Sequence, residues 1–124
     1  MPALKVLQPQ EVEVYYLLPA LRREIAIALK QAGKAQKMIA VLLGITEAAV
    51  SHYFSGKRAA DVSLPEGFVK LVHERAARIK DSHSANAQIQ YLLRQANESR
   101  LLCKIHFGMD KNVPAGCAIC FAQR

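Results

Sequence analysis

A chain of 124 residues has room for one compact domain and a short appendage, not for several domains. Hydrophobic residues make up 52% and aromatics only 6%, with no tryptophan. A core of Ala and Leu is therefore expected, extended disorder is excluded, and helix is favoured over strand. The net charge of +7 fits either a solvated basic surface or a polyanionic partner.

No apolar run approaches the roughly 18–20 residues that cross a bilayer, so no membrane partner is expected. The stretch from Met1 to Pro9 lacks the basic start, apolar centre and small-residue cleavage site of a secretory signal, which points to the cytoplasm. Three cysteines make a poor disulfide framework and suit reduced thiols or thiolates on a metal.

Residues 1–10, with Pro2 and Pro9, read as an arm. A short helix is expected from Glu11 to about Leu17. Pro19 then forces a kink or a restart, because it lacks an N–H and crowds the preceding turn. After it Leu18, Leu21, Ile25, Ala28, Leu29 and Ala32 recur at three- and four-residue steps as one apolar face. Gly33 is a C-terminal stop. Two short helices follow, from about Gln36 to Leu43 and from Thr46 to about Phe54. The first buries Ile39, Ala40, Leu42 and Leu43; the second turns Val50, Tyr53 and Phe54 inward. Gly44 permits a left-handed turn between them, Ile45 plugs the corner, and Thr46 caps the second helix. Ser63 and Glu66 have the spacing of a capping box and open a helix to about Lys80, with Phe68, Val69, Val72, Ala76 and Ile79 buried. A long last helix is expected over Ala85 to Ile105, weakest at Asn97–Ser99, with Ile89, Leu92, Leu93, Ala96 and Cys103 as its stripe. Gly108, Pro114 and Gly116 make the remainder loop.

The expected architecture is thus all-α: a five- to six-helix bundle with a central helix-turn-helix and an irregular metal-binding C-terminal tail. Residues 1–62 carry the N-terminal helix and the helix-turn-helix. Residues 63–106 form a helical dimerisation and support region, and 107–124 the cysteine-containing tail.

Two helices crossing steeply need a small residue where they touch, a tight turn four residues later, and a branched apolar wedge beneath the second. Ala40, Gly44 and Val50 supply these. With Gln36, Ile39-Ala40, Leu43-Gly44-Ile45-Thr46, Ala48-Ala49-Val50-Ser51, Tyr53 and Ser55-Gly56-Lys57-Arg58, this stretch resembles the Cro/lambda-repressor, or XRE, type of helix-turn-helix. Leu18 to Arg23 ahead of it resembles a small prokaryotic group of such regulators. The resemblance covers about half the chain and implies a DNA-binding transcription regulator. Ala35 departs from it where a serine or threonine cap is usual, and Glu47 where glutamine is common.

In such motifs the second helix enters the major groove with its N-terminal half against base edges. That implies Glu47, Ala48, Ser51 and His52 as base-facing residues. A carboxylate at Glu47 can accept from cytosine N4, or simply favour the helix N-terminus. Gln36, Lys37, Thr46, Lys57 and Arg58 are expected on phosphate, which positions the protein without reading sequence. The implied partner is double-stranded DNA. A homodimer is expected because half-sites come in two-fold pairs, with Leu92, Leu93 and Ala96 as the candidate dimer surface.

Cys103-x2-His106 and Cys117-x2-Cys120 form two pairs at ligand spacing. Three thiolates and one imidazole suit an iron–sulfur cluster, with [2Fe–2S] preferred, or tetrahedral zinc. The expected function is then a regulator whose operator affinity is controlled by the bound centre. A thiol–disulfide switch at Cys117 and Cys120 is an alternative. So is a protein-interaction module, an antitoxin or phage-type adaptor, with a structural zinc. No nucleophile–base–acid set, phosphate-binding glycine loop or carboxylate pair is visible, so no enzyme is expected. His73 and His83 read as surface or cap residues.

Overall fold

The computed structural model describes residues 8–55, 62–109 and 117, and all regular structure among them is helical. The chain starts with α1 (Pro9–Val12), runs through a π-helical turn (Glu13–Leu17) and continues as α2 (Leu18–Gln31). These three segments form an unbroken rod over residues 9–31. Pro19 falls in the first turn of α2, as expected for a restart, although helical backbone runs on through the junction. The turn ahead of it is widened, and the Leu18 N–H donates to the Glu13 carbonyl, five residues back. A widened turn relieves the crowding that a proline ring imposes on the α-helical spiral.

The rod ends at Gly33, whose φ of 91° lets the Lys34 N–H reach back to the Leu29 carbonyl at 3.0 Å, a left-handed cap. Next come α3 (Gln36–Leu43), α4 (Glu47–Phe54), α5 (Glu66–Ala76), α6 (Ser82–Glu98) and α7 (Leu101–Met109). With the rod taken as one element, the described residues hold six helices.

Four boundaries differ from expectation. Ser63 does not cap α5. Pro65 disfavours helical backbone at Leu64 and itself sits at the N-cap position, so the helix begins at Glu66. It also stops at Ala76 rather than near Lys80. The start of α6 lies earlier than expected, because Asp81 accepts from the Ser84 N–H at 2.7 Å and forms a capping box with Ser84. The expected long last helix is two helices: Arg100 takes a left-handed φ of 63° and ends α6. The chain turns there, and α7 folds back onto α1 and the π turn.

That return completes the core. Leu17, Leu21, Ile25, Ile39, Val50, Val72 and Leu92 are its largest fully buried side chains together with Val12, and Leu101, Leu102 and Ile105 of α7 join the same cluster. The rod is the hub. Its α2 packs on α3, α4 and α5, while α1 and the π turn pack on α7. Leu92 and Ala96 are 0% exposed, so they belong to this core and not to a dimer surface. The large apolar side chains exposed among the described residues are Val14, Met38, Val41 and Phe107.

The α6 cap has a pH signature. The Ser84 backbone N–H, followed by its hydroxyl, holds the Asp81 carboxyl below the usual carboxylate range. A carboxylate with a lowered folded pKa stabilises the fold above its unfolded value, and that contribution disappears as pH falls through the folded value. Thermal melts from about pH 5 to about pH 2 should show this loss in the wild type. Asp81→Asn keeps a capping oxygen without the titration, and its melts should lack that component.

Candidate nucleic-acid interface

The turn between α3 and α4 is built from local rules. Gly44 is left-handed at φ 65°, which lets the Ile45 N–H donate to the Ala40 carbonyl at 3.0 Å and the Gly44 N–H to Val41 at 3.2 Å. A Cβ at Gly44 would meet nothing within 4 Å, so backbone conformation and not space is the reason for glycine. Thr46 Oγ1 then accepts from the Ala49 N–H at 3.0 Å and starts α4. Across the turn, Gln36 Nε2 donates to the Glu47 carbonyl at 3.2 Å. The two helices are therefore joined at the base of α4 as well as through the turn.

Burial divides α4 into two faces. Ala49, Val50 and Tyr53 are buried, while Glu47, Ala48 and Ser51 are exposed and His52 and Phe54 half-buried. The exposed set lies toward the N-terminal half, and His52 is less open than the others. On α3, Gln36 and Lys37 are exposed beside Lys34. Ala35 precedes α3 in extended conformation and gives it no side-chain cap, so the first-turn N–H groups lack an acceptor from that residue. Lys57 and Arg58 lie outside the described residues.

The far end of α4 is held by groups that sequence reasoning missed. Arg23 Nε donates to the Tyr53 carbonyl at 3.4 Å, and Lys30 Nζ sits 4.3 Å from the centre of the Phe54 ring. Glu24 beside Arg23 also meets His73 Nε2 of α5 at 3.3 Å. His73 is thus a tertiary partner rather than a plain surface residue. Nothing local announces a pairing across 49 positions. His83 is exposed, as read.

Cys103 and His106 stand three residues apart on α7 and are both half-buried, as is Cys117. Among the described residues no three His, Cys, Asp or Glu side chains come together as a group that could hold a metal ion. Cys120 lies outside the described residues. The other ionisable site of note is Glu13 in the π turn, whose carboxyl is pushed up by burial. It borders a cleft of about 230 Å³ with Gln90, Leu93, Arg94, Asn97 and Glu98.

Among the described residues no helix is long and apolar enough to cross a membrane. No curated protein and no solved structure matches the chain. Residues 25–64 match a family model, HTH_3, described as helix-turn-helix. The matched stretch runs from the middle of α2 to the approach to α5, and so contains α3, the Gly44 turn and α4. That match supports a helix-turn-helix of the XRE type at residues 25–64, a domain type that binds DNA.

Proposed function

We propose that the protein is a sequence-specific transcription regulator that reads DNA with α4, acts as a homodimer, and is controlled through its C-terminal cysteines. The observation that carries the DNA reading is the division of α4. It offers an acceptor at Glu47, a methyl at Ala48 and a hydroxyl at Ser51 on the open face, while Val50 and Tyr53 anchor the opposite face. Base edges in the major groove are distinguished by donors, acceptors and the thymine methyl. Lys37, Gln36 and the uncapped first turn of α3 suit phosphate, and Lys57 and Arg58 are proposed to extend that contact. His52 is proposed to donate to a base or a phosphate.

A two-fold operator would pair two copies, since one short recognition helix gives limited specificity. The buried positions of Leu92 and Ala96 mean that any such pairing uses another surface.

Control is proposed to reside in Cys103, His106, Cys117 and Cys120. By donor chemistry this set fits a [2Fe–2S] cluster or zinc; holding either requires the tail to meet the α7 pair. A bound centre of this kind supplies a thiolate-held cross-link that oxidation or chelation can break. The remainder of the route lies in the chain itself. α7 packs on α1 and the π turn, and the same rod carries α3 and α4 on α2. Fixing or releasing α7 would bias the rod between two settings, a population shift that changes operator affinity.

Metal and sulfide analysis of protein purified without oxygen, with DNA binding measured on holo and apo forms, tests this control. The expected outcome is one centre per chain and a difference of about tenfold or more in operator affinity between the forms. Metal-free protein with full operator affinity would remove the control and leave the DNA reading standing.

A further inference from the structure

We propose that Arg23 and Lys30 are positioning residues for the recognition helix: from α2 they hold the C-terminal end of α4 and so set the angle at which its reading end is presented. The inference rests on the DNA reading above and goes beyond it, because neither residue is among those assigned to bases or phosphates.

Two turns of helix are marginal on their own, so α4 depends on what holds its ends. Its N-terminus has the Thr46 cap and the Gln36 bond to the Glu47 carbonyl. Three carbonyls of its last turn have partners among the described residues. Ser51 accepts from the Ser55 N–H at 3.0 Å, His52 from the Ser55 hydroxyl at 3.0 Å, and Tyr53 from Arg23 Nε at 3.4 Å. Of these three partners the last comes from another helix, and it is a cation at a helix C-terminus, where the dipole favours positive charge. Lys30, seven residues further along α2, lies on the same side of the rod. It covers the Phe54 ring at 4.3 Å, a cation over an aromatic face.

Arg23 is itself restrained. Its Nη1 is 3.8 Å from Glu24 Oε1, and the other Glu24 oxygen meets His73 Nε2 of α5 at 3.3 Å. A carboxylate there can only accept, so His73 donates. The result is a polar chain from α5 through α2 to the end of α4. Since α4 is about 12 Å long, a tilt of about 10° at the held end moves the other end by about 2 Å. Hydrogen bonds to base edges do not survive such a displacement, whereas contacts made by flexible lysines to phosphate tolerate it.

The test compares Arg23→Gln, Arg23→Lys and Lys30→Met in the full chain. The probes are a duplex selected by the wild type and a random duplex of the same length, each over a salt series. The expected result for Arg23→Gln is a loss of about tenfold in affinity for the selected duplex. Affinity for the random duplex should change by less than about twofold, with an unchanged salt slope. Arg23→Lys should recover most of the preference. Lys30→Met, which keeps an apolar stem on Phe54, should reduce it about threefold and serves as the test if Arg23→Gln melts below the assay temperature. Equal losses on both duplexes with a salt slope shallower by about one would make Arg23 a phosphate contact and overturn the proposal. Unchanged preference in Arg23→Gln and Lys30→Met would also overturn it. A wild type that prefers no duplex at all would sink the DNA reading itself, and the positioning role with it.

Discussion

Replacing Ser51 by arginine is expected to erase operator preference. Ser51 lies on the open face of α4, one residue after the fully buried Val50, so its side chain points away from the core at the depth where base edges are read. A serine hydroxyl can donate or accept at close range; a guanidinium at the same site is far longer and would hold the helix off the groove. The added positive charge still favours phosphate. Affinity for the selected duplex should therefore fall by about 10³-fold, to the level of random DNA, and the remaining binding should stay salt-sensitive. Fold stability should barely change, because an exposed helix position tolerates arginine. An unchanged footprint at unchanged affinity would mean that another face of the protein meets the groove.

Leu92→Ala is expected to cost the fold a large share of its stability. Leu92 is 0% exposed and lies in the one core shared by the rod, α5, α6 and α7. Removing a buried leucine side chain costs about 2–5 kcal/mol, depending on how far the cavity collapses. Chemical denaturation should show that loss as a lower midpoint with little change in slope. The same variant decides between two roles for the α6 stripe. If Leu92 served a dimer surface, the substitution would shift the oligomeric state at low protein concentration and leave monomer stability nearly intact. The buried position predicts the reverse, a destabilised chain whose self-association, measured below the melting transition, is unaffected.

The parts of the molecule that local chemistry determines were legible in the sequence. α3 ends and α4 begins where expected, because a left-handed glycine at position 44 and a hydroxyl cap at position 46 act within a few residues of themselves. Ile39, Ala40, Leu42, Leu43, Val50 and Tyr53 are buried as their spacing requires. Where the reading differed, a nonlocal or rarer device was at work. Pro19 is accommodated by widening the turn before it, which no periodicity announces. Arg100 ends α6 in a left-handed conformation usually left to glycine or asparagine, so a continuous helical pattern concealed a reversal of the chain. Ser63 and Glu66 had the right spacing for a cap, but Pro65 between them fixes where the helix can begin. The reading face of α4 was legible in the same way as its buried face. The support behind it was not: Arg23, Glu24, Lys30 and His73 meet only once α2, α4 and α5 are packed together. The control proposed for Cys103, His106, Cys117 and Cys120 rests on spacing and donor chemistry, with Cys120 beyond the described residues.

The central claim is that α4 reads base edges, with Glu47 as a selecting acceptor. Enrichment of random DNA duplexes by the wild type and by Glu47→Gln, followed by sequencing, tests it most directly. The account predicts a defined motif with two-fold related half-sites for the wild type. In Glu47→Gln one position per half-site should change from cytosine toward adenine, because a carboxylate accepts from cytosine N4 whereas an amide pairs with adenine N6 and N7. The same motif from both proteins would remove Glu47 from the reading surface. Failure of the wild type to enrich any motif would contradict the account as a whole.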